Sequence, residues 1–233
     1  MAFERLASFG GGVYVGRRSK ACSIRLPRSL VVRMRLVVGT FNRKKGLELA
    51  DLLAGSPISV VTLADFPGVT PPVEDGLTFA DNARLKATLQ AKRLGEWVLA
   101  DDSGLCVDAL SGAPGVHSAR FAGDDATDAD NNRLLLERLA DVPLEKRTAH
   151  YVCHVTLADP AGQVRAEAED VCRGRILVNE SGQQGFGYDP LFEVIEYHRT
   201  FGQLSPAVKA CLSHRARAMR RVLREISRGL LHT

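Results

Sequence analysis

The sequence predicts an α/β protein, and three stretches carry that prediction. Leu36-Val37-Val38-Gly39 is a short apolar run that enters a polar loop and then an amphipathic helix. Trp97-Val98-Leu99-Ala100 is a second such run, leading into Asp101-Asp102-Ser103-Gly104-Leu105. Residues 148–157 alternate, with Tyr151, Cys153, Val155 and Leu157 on one face; they turn at Asp159-Pro160-Ala161-Gly162 and return over 163–171. That alternation with a turn between is a β-hairpin, expected to build a second lobe.

The elements follow in order. Residues 1–33 precede the first strand and show no periodic pattern; they hold Gly10-Gly11-Gly12, seven basic side chains and one acid, Glu4. Three readings of this basic N-terminal extension compete. The chain proper begins at Met34 and 1–33 is an artefact of start-site assignment, or the segment is a flexible arm, or it is a targeting segment. The abrupt change in composition at Met34 favours the first, and the folded body is expected over 34–228.

After the first strand comes Thr40-Phe41-Asn42-Arg43-Lys44-Lys45 and a helix whose apolar face is Leu47, Leu49, Ala50, Leu52 and Leu53, stopped by Gly55. A basic loop between strand and helix suits an anion, because helix-start N–H groups lack partners and the dipole favours negative charge there. It also suits a plain solvated turn, and it lacks P-loop spacing. Ser59-Val60-Val61-Thr62-Leu63 is the second strand. A helix over about 79–94 follows, with Thr78 and Asp81 placed as a capping box and Gly95 as its stop. Glu74 lies before that cap, free to bind a metal or to stay in solvent. The run from Trp97 then ends in two carboxylates expected just past a strand's C-terminal end, where α/β sheets bind ligands. Two acids held that close repel, and a hard divalent cation such as magnesium relieves the repulsion; a polar turn with an Asx bond explains the pattern as well.

Residues 112–123 are rich in glycine and turns, and a polar helix starts near Asp128 with Leu134, Leu135 and Leu139 inward. Gly185-Phe186-Gly187-Tyr188-Asp189-Pro190 joins flexible backbone to aromatic rings and a carboxylate, a surface for stacking a flat base or a packed turn. Ser205-Pro206 opens the last helix, with Ser as N-cap and Pro at its first position. Its apolar positions are Val208, Leu212, Met219, Leu223 and Ile226. Lys209 and His214 stand about 140° apart on an ideal helix. Either the helix breaks near Leu212-Ser213 or the two groups serve different parts of a ligand. The arginines at 215, 217, 220, 221 and 224 read by default as a solvated face.

The totals limit the function. The net charge is +4, yet 34–233 holds 24 basic and 26 acidic residues, so the basic excess lies in the first 33. The body is not built to bind a nucleic-acid polymer, and no apolar run is long enough to cross a membrane. Five scattered cysteines without a CxxC pair argue for a reducing cytoplasm and against a zinc or disulfide framework.

The motifs together resemble the inosine/xanthosine triphosphate pyrophosphatase family. Those that match are Thr40-x-Asn42-x-x-Lys45 with Glu48, then Glu74-x-Gly76-x-Thr78-Phe79-x-x-Asn82-Ala83-x-x-Lys86-Ala87 and Ala100-Asp101-Asp102-Ser103-Gly104-Leu105. Gly112-x-Pro114-Gly115-Val116-x-Ser118-Ala119-Arg120, Gly185 to Pro190 and Leu204-Ser205-Pro206-x-x-Lys209-x-x-x-Ser213-His214-Arg215 complete the set. Phe41 departs from it, standing where the family has a smaller residue, and the 33-residue extension has no counterpart.

The resemblance implies an elongated, two-lobed fold around a mixed twisted sheet flanked by helices, and a homodimer. It implies magnesium-dependent cleavage of non-canonical purine nucleoside triphosphates to monophosphate and pyrophosphate. Glu74 and Asp102 would hold the metal, and Asp102 would take the proton of the attacking water. Thr40, Asn42, Lys45, Lys86 and Ser103 would grip the triphosphate. Phe186, Gly187, Tyr188 and Asp189 would take base and ribose. Lys209, His214 and Arg215 would read the base edge or close the cleft on it. A related pyrophosphatase with another base preference, or a nucleotide-binding protein without catalysis, is the alternative.

Overall fold

The computed structural model describes residues 35–53 and 58–229, with side chains described up to 225. The extension 1–33, Met34, Gly55 and the Ile226 side chain lie outside the described residues. Among the described residues seven strands form one sheet: β1 (Arg35–Val38), β2 (Ser59–Thr62), β3 (Trp97–Val107), β4 (Thr148–Ala158), β5 (Val164–Ile176), β6 (Phe192–Val194) and β7 (Arg199–Thr200). Their order is β2-β1-β3-β4-β5-β6-β7. β1 runs parallel to β2 and β3, and the pairs from β3 to β7 are antiparallel. Among the described residues five α-helices flank the sheet: α1 (Arg43–Leu53), α2 (Phe79–Leu94), α3 (Asp128–Arg138), α4 (Pro206–Leu212) and α5 (His214–Gly229). The expected mixed α/β sheet is present.

The hairpin is placed differently from expectation. β4 and β5 lie in the middle of the one sheet and run through two of its hydrophobic clusters. One end of β4, with Cys153, Val155 and Leu157, packs in a cluster with Leu36, Leu99, Met219 and Leu223. The other end, with Tyr151, packs in a second cluster with Leu105, Leu135, Phe192 and Phe201. Strands of 11 and 13 residues are long enough to serve both cores at once.

β3 is the second correction. The strand does not stop at Asp101 but runs on to Val107. Residues 97–99 pair with β1, and Val98 to Val107 pair with β4. The carboxylates therefore sit just past the end of β1, not of β3. Elsewhere the local signals hold. Thr78 and Asp81 form the reciprocal capping box, and Gly95 ends α2 in the left-handed conformation. α1 starts at Arg43, inside the basic loop, and turns Gly46 rather than Leu47 inward; Leu47 is 58% exposed. The helix predicted from Ser205 breaks at Ser213, whose extended backbone separates α4 from α5. Of its inward positions Met219 and Leu223 are buried, while Val208 and Leu212 are only partly so.

Candidate active site

Asp101 and Asp102 are neighbours on a strand, so their side chains leave opposite faces of the sheet. This overturns the expectation that the pair shares one cation. Each carboxylate has its own. On one face Asp102 meets α2, whose Ala83, Ala87 and Ala91 are fully buried against the sheet and bring the helix close. Lys86 Nζ lies 2.8 Å from Asp102 Oδ1 and 3.2 Å from Glu74 Oε2. Asn82 donates to Asp102 Oδ2 at 3.3 Å, and its own Oδ1 accepts the Gly76 N–H at 2.9 Å, which ties the loop after Glu74 to α2. Burial opposes the Lys86 charge, but Asp102, Asp101 and Glu74 raise its pKa.

On the other face Asp101 is buried under α5. Its Oδ2 accepts from Arg215 Nε at 3.2 Å and Ser103 Oγ at 3.2 Å, with Lys45 Nζ at 3.9 Å. Burial alone would raise its pKa; Lys45, Arg215 and Lys86 overcome that and hold it well below the usual carboxylate range. Arg215 reaches Ser103 Oγ with a second nitrogen at 2.8 Å and Glu48 with a third. It is 2% exposed, so the arginine cluster is not a solvated face at this position. Glu48 also accepts from Lys209 Nζ at 2.8 Å, and Lys209 reaches Asp189 Oδ2 at 2.6 Å. Burial works against the Glu48 charge, but Arg215 and Lys209 lower its pKa.

The break at Ser213 brings Lys209 and His214 to one place. His214 stacks on Tyr151 with ring centroids 4.7 Å apart and planes 6° apart. Burial, then Arg215 and Lys209, hold its pKa well below 6.5. Its Nδ1 is buried and has no hydrogen-bond partner among the described residues.

The aromatic loop closes this side. Phe186 N–H donates to Asp189 Oδ2 at 2.9 Å, and Tyr188 OH donates to the Ser118 carbonyl at 2.8 Å. Gly185 has φ +78°, and a Cβ there would collide with the Asp189 carboxylate. Lys209 Nζ stands 4.7 Å from the Phe186 ring centroid.

Ten of the expected residues line one pocket: Asn42, Lys45, Ser103, Phe186, Gly187, Tyr188, Asp189, Lys209, His214 and Arg215. Thr40 is not in its wall; its Oγ1 accepts the Asn42 N–H at 3.2 Å, while Asn42 Oδ1 accepts from Lys44 and Lys45 N–H and caps α1. Glu74, Lys86 and Asp102 lie outside that wall, joined to it through Ser103 next along β3. Sequence reasoning gave Glu48 no role and missed Asp128, which touches Lys44 and Gly187. The place of Glu48 one turn after Lys44 was the available signal.

Glu74 and Asp102 are hard oxygen donors that already converge on one cation, Lys86. Their chemistry fits magnesium, which takes one or two carboxylates and fills its shell with phosphate and water. Among the described residues no group of three or more His, Cys, Asp or Glu is arranged to hold a metal by itself.

A match to the Ham1 family spans residues 36–225. A dITP/XTP pyrophosphatase of Rhodopirellula baltica is 52% identical over 193 residues, covering 83% of this chain and 93% of the relative. One of Desulforamulus reducens is 48% identical over 199 residues, covering 85% and 98%. Among solved structures, a HAM1 protein from Coxiella burnetii superposes with a TM-score of 0.74 at 35% identity, covering 86% of this chain and all of that one.

Proposed function

The chain belongs to the Ham1 family, and from that premise we propose that it hydrolyses non-canonical purine nucleoside triphosphates to monophosphate and pyrophosphate. The observation that carries the reading is the meeting of Glu74 and Asp102 at Lys86, beside a pocket walled by Phe186, Lys209, His214 and Arg215.

Phosphoryl transfer asks for positioning, charge neutralisation and an oriented water. In this proposal Thr40, Asn42 and Lys45 take the polyphosphate, with Ser103 and Lys86 beside it. Glu74 and Asp102 would hold magnesium, which would supply charge neutralisation and lower the pKa of a water there. Asp102 accepts the proton of the attacking water. The base lies against Phe186. Lys209 has three N–H donors and Arg215 five. The bonds to Asp189, Glu48, Asp101 and Ser103 leave each at least one donor for a ligand. Such donors suit the 6-oxygen of hypoxanthine or xanthine. Against the 6-amino group of adenine they stay unpaired, a loss of about 1–3 kcal/mol per buried group.

The proposal includes a homodimer, on the resemblance, and a cytoplasmic location, on the scattered cysteines. No helix among the described residues is long and apolar enough to cross a membrane.

Turnover of ITP, XTP, GTP, ATP and dUTP with magnesium tests the function. ITP and XTP should be cleaved to pyrophosphate far faster than ATP; preference for dUTP would overturn the purine reading. Asp102→Asn should lower kcat by about 10²-fold or more while nucleotide still binds. Full turnover in that variant would take Asp102 out of the role.

A further inference from the structure

One carboxylate oxygen ties three separated segments together at the mouth of the pocket. Asp128 Oδ2 lies 3.1 Å from Lys44 Nζ and accepts the Gly187 N–H at 3.0 Å. Lys44 sits in the first turn of α1, Asp128 opens α3, and Gly187 is in the aromatic loop. Asn132, one turn along α3, donates to the Gly187 carbonyl at 3.3 Å. So α3 grips both polar groups of one glycine. Gly187 has φ +60° and no side chain, so these backbone bonds are what place it. Lys44 Nζ also stands 5.7 Å from the Phe186 ring centroid. The Lys44 and Asp128 side chains are 58% and 53% exposed, and ion pairs that open to solvent are weak and exchange partners readily. A triphosphate brings several charges to the same loop and offers Lys44 a stronger partner.

We propose that Asp128 is a positioning residue with two separable effects. Through the Gly187 N–H it holds the aromatic loop in register with the phosphate loop. Through Lys44 it lowers the positive potential at the pocket mouth until a polyphosphate takes that lysine. The second effect rests on the nucleotide reading above; the first does not.

Two substitutions separate them. Asp128→Asn keeps an oxygen for the Gly187 N–H and removes the charge. Asp128→Ala removes both. Hydrogen exchange of the protein without nucleotide should show Gly187 unchanged in Asp128→Asn and about tenfold or more faster in Asp128→Ala, with the β3 amides unaltered in both. In steady-state kinetics with ITP, Asp128→Asn should lower KM about threefold at low salt, with kcat little changed. The difference should vanish near 0.5 M salt, where the Debye length is about 4 Å. In a Lys44→Met background the same substitution should bring no gain.

Wild-type exchange at Gly187 in Asp128→Ala would overturn the anchoring effect. A KM gain that survives Lys44→Met would overturn the effect through Lys44. Because exchange is read without substrate, a wild-type protein that cleaved no triphosphate would refute the function and leave the anchor still tested.

Discussion

Lys86 shows what a single side chain does here. It is buried between Asp102 and Glu74, in the position that a metal ligated by the same two oxygens would contest. Breaking a buried ion pair from one side costs about 3–5 kcal/mol, because the remaining charge is left without a partner. Lys86→Met should therefore be less stable in urea by roughly 3 kcal/mol. Magnesium should restore part of that loss, and should stabilise the variant more than the wild type. Equal effects of magnesium on both would separate the lysine from the proposed metal site.

His214 makes the second argument at this scale. Its pKa in the fold lies below its ordinary 6.5, so the fold favours the neutral imidazole. The unfolded chain takes up a proton first as pH falls. The contribution is therefore intact above about 6.5 and is lost progressively below it. Denaturation midpoints should fall as pH is lowered from about 6.5, and His214→Phe, which keeps a ring for Tyr151, should flatten that slope. Asp101 and Glu48, both lowered, act in a more acid window, below 3.8 and 4.5 respectively.

At the scale of elements, β3 and the short helical segment Gly115–Arg120 determine how the pocket wall stands. Ser118 Oγ accepts the Leu105 N–H at 2.9 Å, and Tyr188 OH donates to the Ser118 carbonyl. Gly104 lies directly beneath: a Cβ there would collide with the Gly115 carbonyl and Ser118 Oγ. Gly104→Ala should destabilise by about 1–3 kcal/mol, as overpacking does. It should also raise KM, because the strain reaches the aromatic loop through Tyr188. A change in stability without one in KM would show that the loop is held independently.

The break between α4 and α5 belongs to the same scale. Ser205 caps α4 with Pro206 at its first position, and Arg220 on α5 donates to the Ala210 and Cys211 carbonyls at its end, both at 2.7 Å. A helix interrupted in this way turns Lys209 and His214 into one pocket, which an unbroken helix does not allow.

For the whole molecule, the sequence by itself determined the local features. Helix starts at Thr78 and Ser205, the stop at Gly95, the start of β3, the β4 strand pattern and the hairpin turn at 159–162 are each decided by residues within a few positions of one another. The residues expected at the pocket were legible for the same reason: they come in short motifs, and ten of them meet. What only the tertiary structure decided is direction and partnership. That Asp101 and Asp102 turn to opposite faces follows from β3 running on past them, and pairing with β4 over ten residues is what extends it. That Arg215 is a buried clasp and not a solvated arginine depends on Asp101 and Glu48, 114 and 167 positions away. Periodicity and capping act between near neighbours along the chain, whereas burial of a charge is set by whichever distant group arrives to neutralise it.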